Sequence, residues 1–77
     1  MHPELTNRIK SFRKEHGMSQ ADLAAAVGVT QKTISTIESG RFTPSTVIAL
    51  RIAAHFGVPV EEVFQLRAYG RNAEGSE

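Results

Sequence analysis

The side chains best suited to directional chemistry lie between residues 31 and 39 of the 77-residue sequence: Gln31, Lys32, Ser35, Thr36 and Ser39. Wound as a helix at about 100° per residue with Gln31 at zero, Ser35 falls near about 40°, Ser39 near 80°, Lys32 near 100° and Thr36 near 140°. Thr33, Ile37 and Ile34 fall at about 200°, 240° and 300°, so a narrow apolar stripe backs a broad polar face. A glutamine amide can contact adenine in bidentate fashion, and a lysine ammonium reaches guanine or a phosphate. Serine and threonine serve base edges, and a threonine methyl can meet the methyl of thymine. These hydroxyl residues are poor helix formers, so gathering them on one face costs local stability. Their concentration points to contact with something outside the chain.

Catalytic and metal chemistries find no comparable pattern. His2, His16 and His55 have no partner at helical spacing, and the chain has no cysteine, so no metal site is expected. Glu61 and Glu62 are adjacent and would face different sides of a helix, which suits a helix start better than an acid–base pair. Nothing resembles a nucleophile turn or a glycine-rich phosphate loop. No enzyme, cofactor or small-molecule ligand is therefore expected.

The composition, 40% hydrophobic and 22% charged with three prolines, suits one small globule with a real core. Without cysteine that core must hold unstapled, in an intracellular setting. No stretch approaches the roughly 18 apolar residues of a membrane span, and the start has no signal-peptide run, so the expected location is the cytoplasm, with no membrane partner. The net charge is only +1, but it is unevenly spread. Residues 1–51 hold seven basic groups against four acids, and the remainder holds two against four, so a polyanion should meet the first two thirds.

The elements that must position the polar face read as five helices, with no strand. Leu5, Ile9 and Phe12 share a stripe of a first helix from about Glu4 to Glu15, ended by Gly17. Ser19, with Asp22 three residues on, forms a capping box for a second helix over Gln20–Val27. Gly28 stops it, Val29 points to the core, and Thr30 caps the third helix, Gln31–Ser39. Gly40 closes that helix, Pro44 and Ser45 introduce a fourth up to Phe56, and Gly57 stops it. Pro59, Glu61 and Glu62 open a fifth, whose Val63, Phe64 and Leu66 seal the core. Phe12, Leu23, Val27, Leu50, Ile52, Ala53, Phe56 and Phe64 are core by periodicity. Residues 1–66 form the domain, and 67–77, with two glycines and no periodicity, form a flexible tail.

Two short helices joined by three or four residues must cross steeply, which needs a small residue at the crossing and a glycine at the reversal. Ala24 and Gly28 supply them, with Val29, Ile34 and Ile37 facing inward. This window resembles the Cro and phage-repressor type of helix-turn-helix, the xenobiotic-response-element family, over about residues 5–66. The resemblance rests on Gln20 and Gln31 opening the two helices, on the run from Thr33 to Gly40, and on Pro44-Ser45 and Phe56-Gly57-Val58. It implies an all-α, compact five-helix domain of the lambda-repressor type and a sequence-specific transcriptional regulator of double-stranded DNA, a repressor acting as a homodimer on a palindrome.

By the same resemblance Gln31, Lys32, Ser35 and Thr36 read bases. Gln20, and Arg41 with the Thr43 backbone, hold phosphates, with Gln20 also bracing Gln31, and Arg13 and Glu38 form a structural ion pair; Ser39, on the same polar face, is expected to add a phosphate contact. Many small bacterial relatives have Arg then Gln where this chain has Gln31 and Lys32, and a charged residue in place of Val47. Val58, Val60, Val63 and Tyr69, with Val47 outlying, are the apolar groups expected at a dimer contact. The rival reading is a protein-interaction module of the same fold, such as an antitoxin or a bridging coactivator, to which the modest net charge gives some weight.

Overall fold

Three hydroxyl residues start three helices in the computed structural model, which describes residues 5–67. Ser19, Thr30 and Ser45 each have extended backbone, and their Oγ atoms accept from the N–H groups of Asp22, Thr33 and Ile48 at 3.0, 3.1 and 3.2 Å. Each bond satisfies one of the N–H groups that a helix start leaves without an intrahelical partner. The helices so begun are α2 (Gln20–Val27), α3 (Gln31–Glu38) and α4 (Thr46–Phe56), preceded by α1 (Ile9–Glu15) and followed by the single turn α5 (Val60–Val63). Gly28 ends α2 at φ +82°, a left-handed conformation in which a side chain would be strained. That reversal lets α3 begin after only Val29 and Thr30.

The two ends of the described chain depart from a purely helical reading. Leu5–Asn7 forms a short strand, β1, paired antiparallel with β2 (Phe64–Leu66) in the register Leu5↔Leu66, Thr6↔Gln65 and Asn7↔Phe64. The first helix therefore starts at Ile9, not near Glu4, and Leu5 packs against the core from a strand. Asn7 causes the late start: its Oδ1 accepts from the N–H of Ile9 at 3.1 Å, and the N–H of Arg8 donates to the carbonyl of Val63 at 2.8 Å. At the other end Phe64 is buried, but Leu66 is 61% exposed and does not seal the core. The expected tail lies, apart from Arg67, outside the described residues, as does Tyr69.

Ile9, Leu23, Ile34, Ile37, Ile52 and Val63 are fully buried and bring α1 to α5 to one centre. On α4 the inward stripe is Ala49, Ile52, Ala53 and Phe56, at spacings of three, one and three. Leu50 lies about 200° from Ile52 on that helix. It is accordingly 51% exposed and not part of the core. Val63 is wholly internal and is not free for a dimer contact, whereas Val47 is 57% exposed. Phe12 is half-buried and stacks on Phe56 with ring centroids 5.2 Å apart.

The capping box on α2 makes a pH-dependent contribution. Asp22 accepts from the backbone N–H of Ser19 at 3.0 Å, and that bond, followed by the one from the Ser19 side chain, holds its carboxyl below the ordinary range. Stabilisation of this sign is complete above the unfolded carboxyl value, about pH 4, and is lost as the pH falls through the lower folded value. Urea unfolding of the parent and of Asp22→Ala should show the larger difference at neutral pH and a shrinking one below about pH 4. A difference independent of pH would contradict this account of the box.

Candidate nucleic-acid interface

Ile34 and Ile37 anchor α3 to the core at 0% and 1% exposure, and this anchoring turns the opposite side of the helix outward. Gln31, Lys32 and Ser39 are exposed, and Ser35 and Thr36 are half-buried. The hydroxyls on this face differ in what they have left to offer. Thr36 Oγ1 lies 3.0 Å from the carbonyls of both Lys32 and Thr33, and Ser39 Oγ donates to the carbonyl of Thr36 at 3.1 Å. Among the described residues no hydrogen bond engages the side chains of Gln31, Lys32 or Ser35. The free polar groups of α3 are thus an amide, an ammonium and one hydroxyl.

Behind α3 lies an almost dry ionic network. Arg13 on α1 donates from Nε and Nη2 to Glu38 Oε2 and Oε1 at 2.5 and 3.2 Å, and the two side chains are only 11% and 8% exposed. The Glu38 hydrogen bond holds the Arg13 guanidinium above its usual pKa, against the opposing pull of burial. Arg13 Nη1 donates to the carbonyl of Met18 at 2.9 Å, which ties the turn before α2 to the same pair. Gln20, the first residue of α2, donates from Nε2 to Glu38 Oε1 at 3.2 Å. The expected brace from Gln20 to Gln31 therefore runs to Glu38 instead, because that carboxylate, held against Arg13, lies within reach of the amide.

Beyond α3 the chain turns sharply. The N–H groups of Gly40 and Arg41 donate to the carbonyls of Ile37 and Thr36, each at 3.0 Å. These bonds hold Arg41 directly past the helix end, with Thr43 two residues on and both exposed. Between Glu38 and Glu61 the chain carries no acid, only Arg41 and Arg51 as full charges and His55. Arg51 is engaged, with Nη1 3.4 Å from the carbonyl of Val27. Arg8 is also engaged, donating to Glu62 Oε1 at 2.9 Å and lying over the Phe12 ring, so it offers no free cation.

The structure thus brings Gln31, Lys32, Ser35 and Thr36 onto one helix face, with Ser39 at its end and Arg41 and Thr43 just past it. Gln20 joins them through Glu38. The sequence reading missed Asn7, whose Nδ2 donates to the carbonyl of Ile37 at 3.0 Å. Its available signal was a helix-capping residue type at a helix start. Among the described residues no group of three or more His, Cys, Asp or Glu could hold a metal ion, and no helix is long and apolar enough to cross a membrane.

Comparison with known proteins agrees with this geometry. The helix-turn-helix family matches residues 9–63. An uncharacterized HTH-type transcriptional regulator of Methanocaldococcus jannaschii is 42% identical over 60 residues, which cover 78% of this chain and 91% of that protein. One from Bacillus subtilis is 40% identical over 62 residues, covering 80% and 94%. Among solved structures, the restriction-modification controller protein of Aeromonas hydrophila superposes with a TM-score of 0.66 at 26% identity, over 70% of this chain and 82% of that one.

The ion pair gives a test of what sets α3 in place. Arg13→Ala leaves a nearly buried carboxylate with Gln20 as its remaining side-chain partner and should cost about 3 to 5 kcal/mol in urea unfolding. Replacing both charges, as Arg13→Met with Glu38→Leu, should cost far less than the sum of the single changes. Additive losses would show that the two groups do not act as a pair.

Proposed function

The chain belongs to the Cro/C1-type helix-turn-helix family of DNA-binding transcriptional regulators, and on that premise we propose that it is a cytoplasmic repressor that binds a palindromic operator as a homodimer. The observation that carries the reading is the outward face of α3, where Gln31, Lys32 and Ser35 are free of internal hydrogen bonds while two isoleucines hold the back of the helix. A major groove about 12 Å wide admits one such helix. Gln31 and Lys32 read base edges, Ser35 adds a hydroxyl, and Thr36 offers its methyl to thymine. Gln20, Ser39, Arg41 and Thr43 flank them as phosphate contacts, which fix register and orientation without reading sequence.

Two copies are needed because a helix of eight residues reads few bases, and half-sites about 34 Å apart multiply both affinity and selectivity. Val47 and Leu50, one turn apart on α4 and each about half exposed, support a second-copy contact there. Because each is already about half covered, burying the remainder contributes about 1 kcal/mol per side chain. Residues 1–66 act as the DNA-binding domain. A domain of this size, seated on a promoter, represses by occluding it.

Selection from a randomised duplex pool tests the reading against a protein-binding module of the same fold. A DNA reader must enrich a sequence and lose affinity steeply as salt rises. Pool recovery without enrichment, or no binding at low salt, would favour the protein-binding alternative. On the selected site, Gln31→Ala should reduce discrimination at its base by about 1 to 3 kcal/mol. Arg41→Ala should weaken all sequences alike and lower the salt slope by about one. Leu50→Asp should reduce the dimer fraction in sedimentation runs, and an unchanged fraction would place the contact elsewhere.

A further inference from the structure

Asn7 uses both ends of its side-chain amide. Oδ1 accepts from the N–H of Ile9 at 3.1 Å and closes the turn into α1. Nδ2 donates to the carbonyl of Ile37, in the last turn of α3, at 3.0 Å. Asn7 also pairs with Phe64 in the two-stranded sheet, so one half-buried residue joins the sheet, the start of α1 and the end of α3.

Neither the sheet nor the turn explains why this residue is asparagine. The sheet has its backbone ladder and a further bond from Thr6 Oγ1 to the carbonyl of Gln65. The turn needs only an acceptor, which aspartate or serine supplies as well. Among these common capping types only asparagine carries an acceptor and a donor on two separate atoms, one for Ile9 and one for Ile37; ionised aspartate has no donor, and serine has a single Oγ for both. The bond to Ile37 grips the backbone of α3. It therefore constrains the helix axis itself, whereas the Arg13–Glu38 pair acts through a side chain.

We propose that Asn7 is a positioning residue for base reading, a strut that sets the tilt of α3 from its C-terminal end. The inference rests on the reading of α3 as the base-contacting helix. The other end of α3 is fixed by the turn through Gly28, so loosening the strut pivots the helix about its N-terminus. An eight-residue helix is about 12 Å long, and a tilt of about 5° moves its free end by about 1 Å. Useful hydrogen-bond lengths span only about 0.5 Å. The positions read by Ser35 and Thr36, farther from that pivot, should therefore lose selectivity, while the one read by Gln31 keeps it.

The experiment is selection from a randomised duplex pool by the parent, Asn7→Asp and Thr6→Ala. Asn7→Asp keeps the acceptor for Ile9 and removes the donor to Ile37; Thr6→Ala loosens the sheet without touching α3. The inference expects Asn7→Asp to lose about tenfold in discrimination at the Ser35 flank of the half-site. Gln31's position and the salt slope should stay as in the parent, and Thr6→Ala should lower the melting temperature and leave every preference intact. Asn7→Ser, which adds no charge, is read in the same way should the aspartate not fold. Parental preferences in a folded Asn7 variant, or the same flank loss in Thr6→Ala, would overturn the strut and leave base reading by α3 standing. A parent that enriches no sequence would instead overturn the reading of α3, and the strut with it.

Discussion

A carboxylate almost out of water has to be neutralised, and the neutralisation of Glu38 organises the site of this protein. Its partner, Arg13, comes from α1, so the requirement to pair the charge pulls the first helix against the end of the third. Once made, the pair presents two further valences. Arg13 spends one on the carbonyl of Met18, which sets the approach to α2, and Glu38 spends the other on the Gln20 amide at the start of α2. Both helices of the helix-turn-helix are thereby referred to one buried ionic centre. A pair of this kind adds little net stability compared with apolar residues of similar size, but it is costly to break. In this small domain its effect is to define one arrangement of the three helices.

Apolar packing supplies the affinity of the parts for one another and leaves their orientation open. Burial of Ile34 and Ile37 holds α3 to the core, but the hydrophobic effect that drives it is non-directional. Directionality comes from the polar contacts around them: the Thr30 cap at the N-terminus of α3, the Glu38 pair at its C-terminal end, and the Asn7 amide on its last turn. The face turned to solvent is correspondingly left free. Hydrophobic and polar contributions thus divide the work, one holding α3 to the core and the other aiming it.

The features legible in the sequence are those whose cause is local. The caps at Ser19, Thr30 and Ser45 and the left-handed Gly28 follow from side-chain and backbone preferences within four residues, and the polar face of α3 follows from helical period alone. The two-stranded sheet was not legible, because three-residue strands have no measurable alternation and their partners lie at opposite ends of the domain. Leu50 misled for a related reason: α4 is apolar on more than one side, so composition marks it as core while the inward stripe passes it by. In the site, the residue types of α3 could be read, but not the commitment of the Thr36 and Ser39 hydroxyls to their own helix. The partner of Gln20 and the role of Asn7 depend on distances between elements remote in sequence, and Arg8 looks like a free cation until α5 brings Glu62 to it.

The central claim is that the outward face of α3 lies against base edges in a major groove. Intermolecular nuclear Overhauser effects in a complex with a selected duplex test it most directly. The account predicts contacts from the side chains of Gln31, Lys32 and Ser35 to cytosine H5 and thymine methyl protons, which line that groove. Contacts confined to minor-groove protons, or arising from another helix while α3 stays silent, would contradict it.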